Sequence, residues 1–361
     1  MDLELTDEQI WLADSVAQLL ARSSDDETWH ALIEFGALEI ASGEEGLGAV
    51  ELVLVGEELG RSLASVPFID TAAARYAARG VAPAEHPVLA TLNSARGTVG
   101  LCLLEPGGGW GLEGSATSIA RCDGGVLVIE GQKAAVQHAP AATQLLVLCH
   151  DAADERRLAV IDRADAAIRI VPTPSIDCSL DTAAVAFDGV EVPEARSLPP
   201  EQSAVMLERL LAIGALLAAS EAVGAAARLI ELARDYAAER RQFGRSIASF
   251  QALRHLLADM YVKQTSAWST VLFSAAALED GGEHSLRAAS IAKAYTSRST
   301  LEVAHGALQV FGGIAFTAEH PAHRYLRRIV ARGAQFGDAR HHERMLGREL
   351  AAIPRLEELV R

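Results

Sequence analysis

From about Glu201 onward the chain reads as four long helical runs, roughly 203–240, 249–280, 285–311 and 335–350, with only short breaks between them. Apolar residues return at helical spacing through each run. Helices of that length joined by short loops bury their apolar faces by packing antiparallel, as a four-helix-type bundle. Ala and Gly are dense from Ala212 to Ala227, which permits a neighbouring helix to come close. Half of the 361 residues are hydrophobic and 22% are charged, a balance that fits a buried globular core and not a disordered chain.

The chain is too long for one small core, and its patterning changes twice. Residues 1–98 read as helical: Thr6 and Gln9 make a capping-box pattern, and Ile10, Leu12, Ala13, Val16 and Leu19-Leu20 supply an apolar face. Gly43 to Gly48 reads as a loop, and Leu52 to Leu63 resumes helical periodicity. Near Gly97 the pattern turns β-prone, with short runs at Val99–Leu104, Val126–Ile129, Leu145–Cys149, Leu158–Ile161 and Ala184–Phe187. Short strands without helices between them predict an antiparallel, barrel-like or sandwich module. The expected fold class is α+β: an N-terminal helical domain over 1–98, a central antiparallel β domain over 99–198 and a C-terminal helical bundle over 199–361.

A formal charge of −16 argues against a nucleic-acid or anionic-membrane surface, either of which needs a basic face. The local cluster Arg324, Arg327 and Arg328 still suits a phosphorylated ligand. Cys102, Cys122, Cys149 and Cys178 show no metal or disulfide spacing and read as buried, reduced small hydrophobes. His341-His342-Glu343 resembles a metal cluster, but adjacent helix residues point about 100° apart, so no metal is expected. Gly109-Trp110-Gly111-Leu112-Glu113-Gly114 matches a dinucleotide fingerprint, yet turn and strand follow it where that site needs a helix. Trp11, Trp29 and Trp268 read as core or interface anchors. The opening residues are acidic and polar, and the most apolar stretch, Leu210 to Ala219, is about half a membrane span, so a cytoplasmic protein is expected.

Two turns carry the chemistry. Glu239-Arg240-Arg241-Gln242-Phe243-Gly244-Arg245, followed by Phe250-Gln251, places a guanidinium fork, an amide and an aromatic edge at a helix end. That set suits a phosphate-linked aromatic ligand. The plain alternative is that the arginines offset a helix C-terminus and Gly244 caps it. A second turn of the same kind, Gln309-Val310-Phe311-Gly312-Gly313, weakens that alternative.

With Glu319-His320-Pro321 and Arg324-Tyr325-Leu326-Arg327, these segments resemble the acyl-CoA dehydrogenase family and its R-x-Q-F-G and Q-x-x-G-G motifs. Thr6–Gln9, Glu57–Gly60, Glu105–Gly107, Gly131–Lys133 and Phe187–Pro193 fall in the family's order, so the resemblance covers essentially the whole chain. It implies α,β-dehydrogenation of an acyl-CoA thioester, in which a glutamate takes the α-proton and FAD accepts the hydride. It further implies an FAD shared across a subunit interface and an electron-transfer flavoprotein or similar acceptor. Arg240, Gln242, Phe243, Gln251, Gln309, Gly312 and Gly313 are then placed to hold the distal half of a neighbour's FAD.

The flavin-ring half departs from the family pattern. Ala134-Ala135-Val136-Gln137 stands where relatives carry a Trp and a Thr or Ser, and Gly107-Gly108-Gly109-Trp110-Gly111 has lost the family's Ser-Asp. The C-terminal base position holds Phe336, within Phe336-Gly337-Asp338. The alternative base position, on the first bundle helix, falls near Gly214, and the acidic residues on that helix, Glu208 and Glu221, are out of register with it. Glu221 is the remaining catalytic candidate, with an ordinary helix ion pair as its other reading. The losses resemble one half of a heteromeric dehydrogenase, as in actinobacterial sterol side-chain degradation, whose partner keeps the ring and the base. A homo-oligomer with an unusual base and a scaffold without FAD are the alternatives.

Overall fold

A computed structural model describes residues 4–43, 47–94, 97–112, 117–122, 124–281 and 285–352. Six helices come first: α1 (Asp7–Arg22), α2 (Asp25–Glu34), α3 (Ala37–Ser42), α4 (Ala49–Ser62), α5 (Phe68–Ala78) and α6 (Pro87–Leu92). The capping box is present, with Gln9 N donating to Thr6 Oγ1 at 3.3 Å and Thr6 N to Gln9 Oε1 at 3.0 Å. The apolar face of α1 is only partly used: Val16 is buried, but Ile10 and Trp11 face outward. Trp29 and Trp268 pack against the core as expected of anchors. Of the expected loop at Gly43 to Gly48, residues 44–46 lie outside the described residues.

Seven strands follow: β1 (Val99–Cys102), β2 (Ser118–Cys122), β3 (Val126–Gln137), β4 (Gln144–His150), β5 (Arg156–Asp162), β6 (Ile168–Thr173) and β7 (Thr182–Pro193). They form one sheet in the order β1-β4-β2-β3-β7-β6, with β5 beside β4. Most pairs are antiparallel, but β1 runs parallel to β4 and β2 meets β4 in parallel at Ser118↔His150. The parallel start has a local cause: the Thr98 and Thr143 hydroxyls each accept the other's backbone N–H at 2.9 Å, so both strands leave one anchor in the same direction. Sequence patterning misses β2 and β6. The second carries Pro172 and lies at the sheet edge, where a strand tolerates proline. Cys102 and Cys149 are buried in this module, whereas Cys178 is exposed, contrary to its expected burial.

Among the described residues after the sheet, the long elements are helices: α7 (Pro200–Glu239), α8 (Gln251–Asp280), α9 (Ser285–Phe311), α10 (Ala322–Ala334) and α11 (Ala339–Ala352). Helix α10 is not evident from the sequence, because five charged or histidine side chains interrupt its apolar face; only Ala322, Tyr325 and Ile329 mark its inner side. The helix expected at 335–350 starts later, at Ala339. By length and composition α7 is apolar enough to cross a membrane, but its apolar stretch is buried inside the protein, as a core helix is. It meets α4 backbone to backbone. A Cβ on Gly60 would stand 1.9 Å from Glu221 O, and one on Gly224 would stand 1.9 Å from Glu57 O. The Ala/Gly-rich segment therefore serves close helix approach. The first helices share one core with α7, and separate cores fill the sheet and the α7–α9–α10 end of the bundle.

Candidate functional site at the two ends of the bundle

Helix α7 ends at Glu239, and Arg240 caps it in an extended conformation. The chain then makes a hairpin, β8 (Arg241–Gln242) against β9 (Arg245–Ser246). Its loop is Phe243-Gly244, with φ of 52° and 78°, as a two-residue type I′ loop requires. Gly244 is thus a hairpin residue, which corrects its reading as a helix cap. Phe243 is 91% exposed, although a bulky side chain at positive φ is uncommon. Arg240, Gln242 and Gln251 are also exposed. Gln242 Nε2 donates to Arg241 O at 2.8 Å, while the Arg240 guanidinium makes no hydrogen bond or ion pair among the described residues.

The second turn lies beside the first. Phe311, at the end of α9, packs edge-on against Tyr236 in the last turn of α7, with ring centroids 5.5 Å apart. Gln309, Gly312 and Gly313 are exposed, Gly312 is left-handed at φ 65°, and an added Cβ would meet nothing within 4 Å of either glycine. All seven predicted contact residues therefore lie at one end of the bundle. They form an open rim of amides, a guanidinium and backbone free to approach a ligand.

The other half of the expected site lies elsewhere. Gly214 and Arg240 are separated along α7 by about 39 Å at 1.5 Å per residue, further than an extended dinucleotide reaches. At Gly214 the two positions where the resemblance would place a base meet each other. A Cβ on Gly214 would stand 2.5 Å from Phe336 Cε1, and Trp110 closes the other side with its ring centroid 5.2 Å from that of Phe336. Phe336 is 2% exposed and sits at φ 56°, with Gly337 at φ 103°. Glu208 lines the cavity of about 140 Å³ beside Phe336, at its exposed side.

The strand that would carry the ring contacts is also altered. Ala135 has φ 52° at a register break between β3 and β7, and Val136 is fully buried. Gln137 turns to the bundle, its Oε1 accepting from Arg332 Nη1 at 2.7 Å. These residues do not present a platform for a flavin ring: no aromatic face, a polar group already engaged and no carboxylate at either expected base position.

Glu221 is the clearest correction. It is buried 107 residues before Arg328, whose Nη1 lies 2.6 Å from Glu221 Oε1, and Arg332 Nε lies 3.1 Å from the same oxygen. Arg328 also holds Asp177 at 2.5 Å and donates to Ala64 O at 2.8 Å and Ser179 Oγ at 2.9 Å. Burial works against the Arg328 charge, but Glu221 and Asp177 outweigh it and hold its pKa above the usual value. Two arginines occupy the buried carboxylate and leave no room for a substrate. Glu221 is therefore a buried structural partner of Arg328 and Arg332, neither a base nor a surface pair of little worth.

The network continues through Arg332 to Gln335 Oε1 at 2.7 Å, and from Gln335 Nε2 to Asp70 Oδ1 at 3.1 Å. Burial raises the Asp70 pKa to about 7 against the pull of Arg332. His342 Nε2 lies 3.0 Å from Phe336 O, and burial and Lys293 lower the His342 pKa to about 4. Glu343 pairs with Arg298 at 2.5 Å. His342 and Glu343 thus have separate partners, while Glu113 and Gly114 of the glycine-rich match lie outside the described residues. Sequence reading misses Asp70, Gln137 and Arg332. The one available signal is Arg328 and Arg332 at i, i+4, which puts both on one helix face.

The fold is a helical bundle carrying a β module, with two exposed glycine turns at one end of the bundle. The family described as "Acyl-CoA dehydrogenase, C-terminal domain" matches residues 203–350. Residues 203–350 are thus similar to the C-terminal domain of that family. The chain is similar to benzylmalonyl-CoA dehydrogenase of Aromatoleum aromaticum, 33% identical over 235 residues, 63% of this chain and 62% of that protein. It is also similar to acyl-CoA dehydrogenase IpdE2 of Mycolicibacterium smegmatis, 40% identical over 136 residues, 38% of this chain and 42% of that one. The aligned part thus spans less than two thirds of either relative. A chain of the ChsE4-ChsE5 complex of Mycobacterium tuberculosis shares the fold, with a TM-score of 0.83 and 24% identity over 98% of this chain and all of that one.

Proposed function

We propose that this protein is a subunit of an FAD-dependent acyl-CoA dehydrogenase that completes the distal half of an FAD site at a subunit interface, with the base supplied by a homologous partner. The observation that carries this reading is the separation within one chain of an exposed rim at Arg240 and a closed pocket at Gly214 and Phe336, about 39 Å apart along α7. Arg240 would pair with the pyrophosphate, Gln242, Gln251 and Gln309 would bond the adenosine side, Phe243 would pack on it, and Gly312-Gly313 would let backbone approach. FAD, when bound, supplies the hydride acceptor for α,β-dehydrogenation of an acyl-CoA thioester. This chain's residues bind and orient it, and no proton transfer is assigned to them.

The similarity to a chain of a two-protein complex supports a hetero-oligomer, probed by co-expression. An electron-transfer flavoprotein or similar carrier is the proposed acceptor, a sterol-derived side chain the proposed acyl class, and the cytoplasm the proposed location. A homo-oligomeric enzyme is the second reading, favoured by Glu208 at the cavity beside Phe336. The flavin absorbance of the chain purified alone and with a co-expressed partner separates the two. Flavin that appears only with the partner supports the proposal; one tightly held FAD per subunit in the chain alone defeats it.

A further inference from the structure

We infer that Phe336, seated in the notch left by Gly214 and backed by Trp110, is a steric lock that closes this chain's own acyl-binding pocket. This rests on the reading of the chain as a dehydrogenase subunit and adds a specific claim: the Phe336 ring itself, and not merely the missing base, keeps an acyl-CoA out of this pocket.

Two locally unfavourable choices explain each other at this point. Glycine inside the 40-residue helix α7 gives up helix propensity, and a phenylalanine at φ 56° adopts a conformation that bulky residues avoid. Each becomes sensible only through the other. A Cβ at 214 would come within 2.5 Å of Cε1 and 2.7 Å of both Cδ1 and Cζ of Phe336, so the ring occupies the volume that any other residue would fill. Paired departures from local preference are expected at functional positions.

The lock is also braced. Gln335 is tied to Asp70 and Arg332, and the Phe336 carbonyl to His342, so the turn is fixed on both sides of the ring. Trp110 covers the outer edge. The space remaining beside the ring is about 140 Å³, bounded by Leu211, Ala212, Ala215, Ala289 and Met345. That is close to a cavity that holds one benzene, and below the roughly 300 Å³ at which ligand pockets begin. An acyl thioester does not fit beside a seated Phe336.

The test counts hexanoyl-CoA bound per copy of this chain, in the assembly in which the protein is isolated. Phe336→Ala should add about one bound thioester per copy, tightening binding at this pocket by about a hundredfold, as burial of four methylenes implies. Unchanged stoichiometry in a folded Phe336→Ala protein overturns the lock, as does wild-type protein that already binds hexanoyl-CoA in this pocket. Gly214→Ala is an independent arm, because its methyl must displace the ring and so shift the emission of Trp110. Wild-type emission and an unchanged melting temperature in Gly214→Ala would equally sink the proposal. The count is read without flavin, so its failure leaves the distal FAD rim untouched. Conversely, flavin retention that ignores Arg240 would defeat the parent reading and not the lock.

Discussion

Arg240, Gln242, Phe243 and Gln309 stand in solvent, with Phe243 set edge-on to Phe250 of the same segment, whereas Phe336, Gln335, Arg332 and Glu221 are buried and tied to one another. Both regions carry polar side chains at helix ends, yet only one has spent them on the fold. Exposed donors and a strained, projecting aromatic contribute little to an isolated chain and are kept for something outside it. Buried donors that join α4, α7, α10 and the β module act as a keystone. The open rim should therefore be mutable at the expense of a ligand, and the closed end only at the expense of stability.

The largest effect expected is at Glu221. Glu221→Gln keeps the shape but leaves Arg328 with Asp177 alone and takes from Arg332 its paired carboxylate, and breaking a buried pair typically costs about 3–5 kcal/mol. Urea unfolding of wild type and variant measures this. Turnover of whatever folds should stay within a few-fold, since loss of a general base costs about 10²–10⁴-fold. A stable but inactive variant would restore Glu221 as a catalyst and break the contrast.

At the open end, Arg240→Ala should weaken FAD retention in the assembled protein by about 1.5–3 kcal/mol, the usual worth of a charged hydrogen bond. Its melting temperature should hardly move, because the side chain has no hydrogen bond or ion pair among the described residues. Flavin released on dilution, followed by fluorescence, reads the first quantity, and thermal melting reads the second. A variant that melts early yet keeps its flavin would put Arg240 on the structural side.

The sequence exposes these two regions unequally, for a physical reason. The rim is local: Arg240 to Gly244 and Gln309 to Gly313 are contiguous, so the sequence displays their chemistry before any folding is considered. The long runs of α7, α8 and α9 are equally visible, because periodicity is a short-range property. The closed end is assembled from far apart, with Asp70, Gln137, Asp177, Glu221 and Arg332 meeting only in three dimensions. No spacing rule brings Asp70 to Gln335. Nothing local marks Glu221 as buried, because Arg328, 107 positions away, gives no sign of its approach. Helix α10 was hidden for a related reason: its two buried arginines read as an exposed face until their partners are known.

Asp70 gives a smaller, pH-resolved test of the closed end. Burial raises its pKa to about 7. A carboxyl whose pKa rises on folding holds its proton more tightly in the folded state. The stability it contributes is complete below about pH 4, its unfolded value, and is lost as pH climbs through 7. Asp70→Asn cannot titrate but still offers an oxygen to Gln335. Relative to this variant, wild type should lose stability across that window with a slope of up to about 1.4 kcal/mol per pH unit. Parallel stability–pH curves would mean that Asp70 is not the buried carboxyl described here.

The smallest effect separates two helical glycines. Gly347, in α11, is exposed, and an added Cβ would meet nothing within 4 Å. Its only contribution to the fold is the flexibility it adds to the unfolded chain, so Gly347→Ala should stabilise by about 0.8–1 kcal/mol through helix propensity. Gly214 has the same propensity deficit in α7, but its methyl would drive into the Phe336 ring. Gly214→Ala should therefore change sign and destabilise, since overpacking a fitted core forces side chains off their rotamers. Chemical denaturation of the two variants in parallel makes each the control for the other. If Gly214→Ala gains as much as Gly347→Ala, the ring is free to leave its notch, and the closed end is no more committed to the fold than the open one.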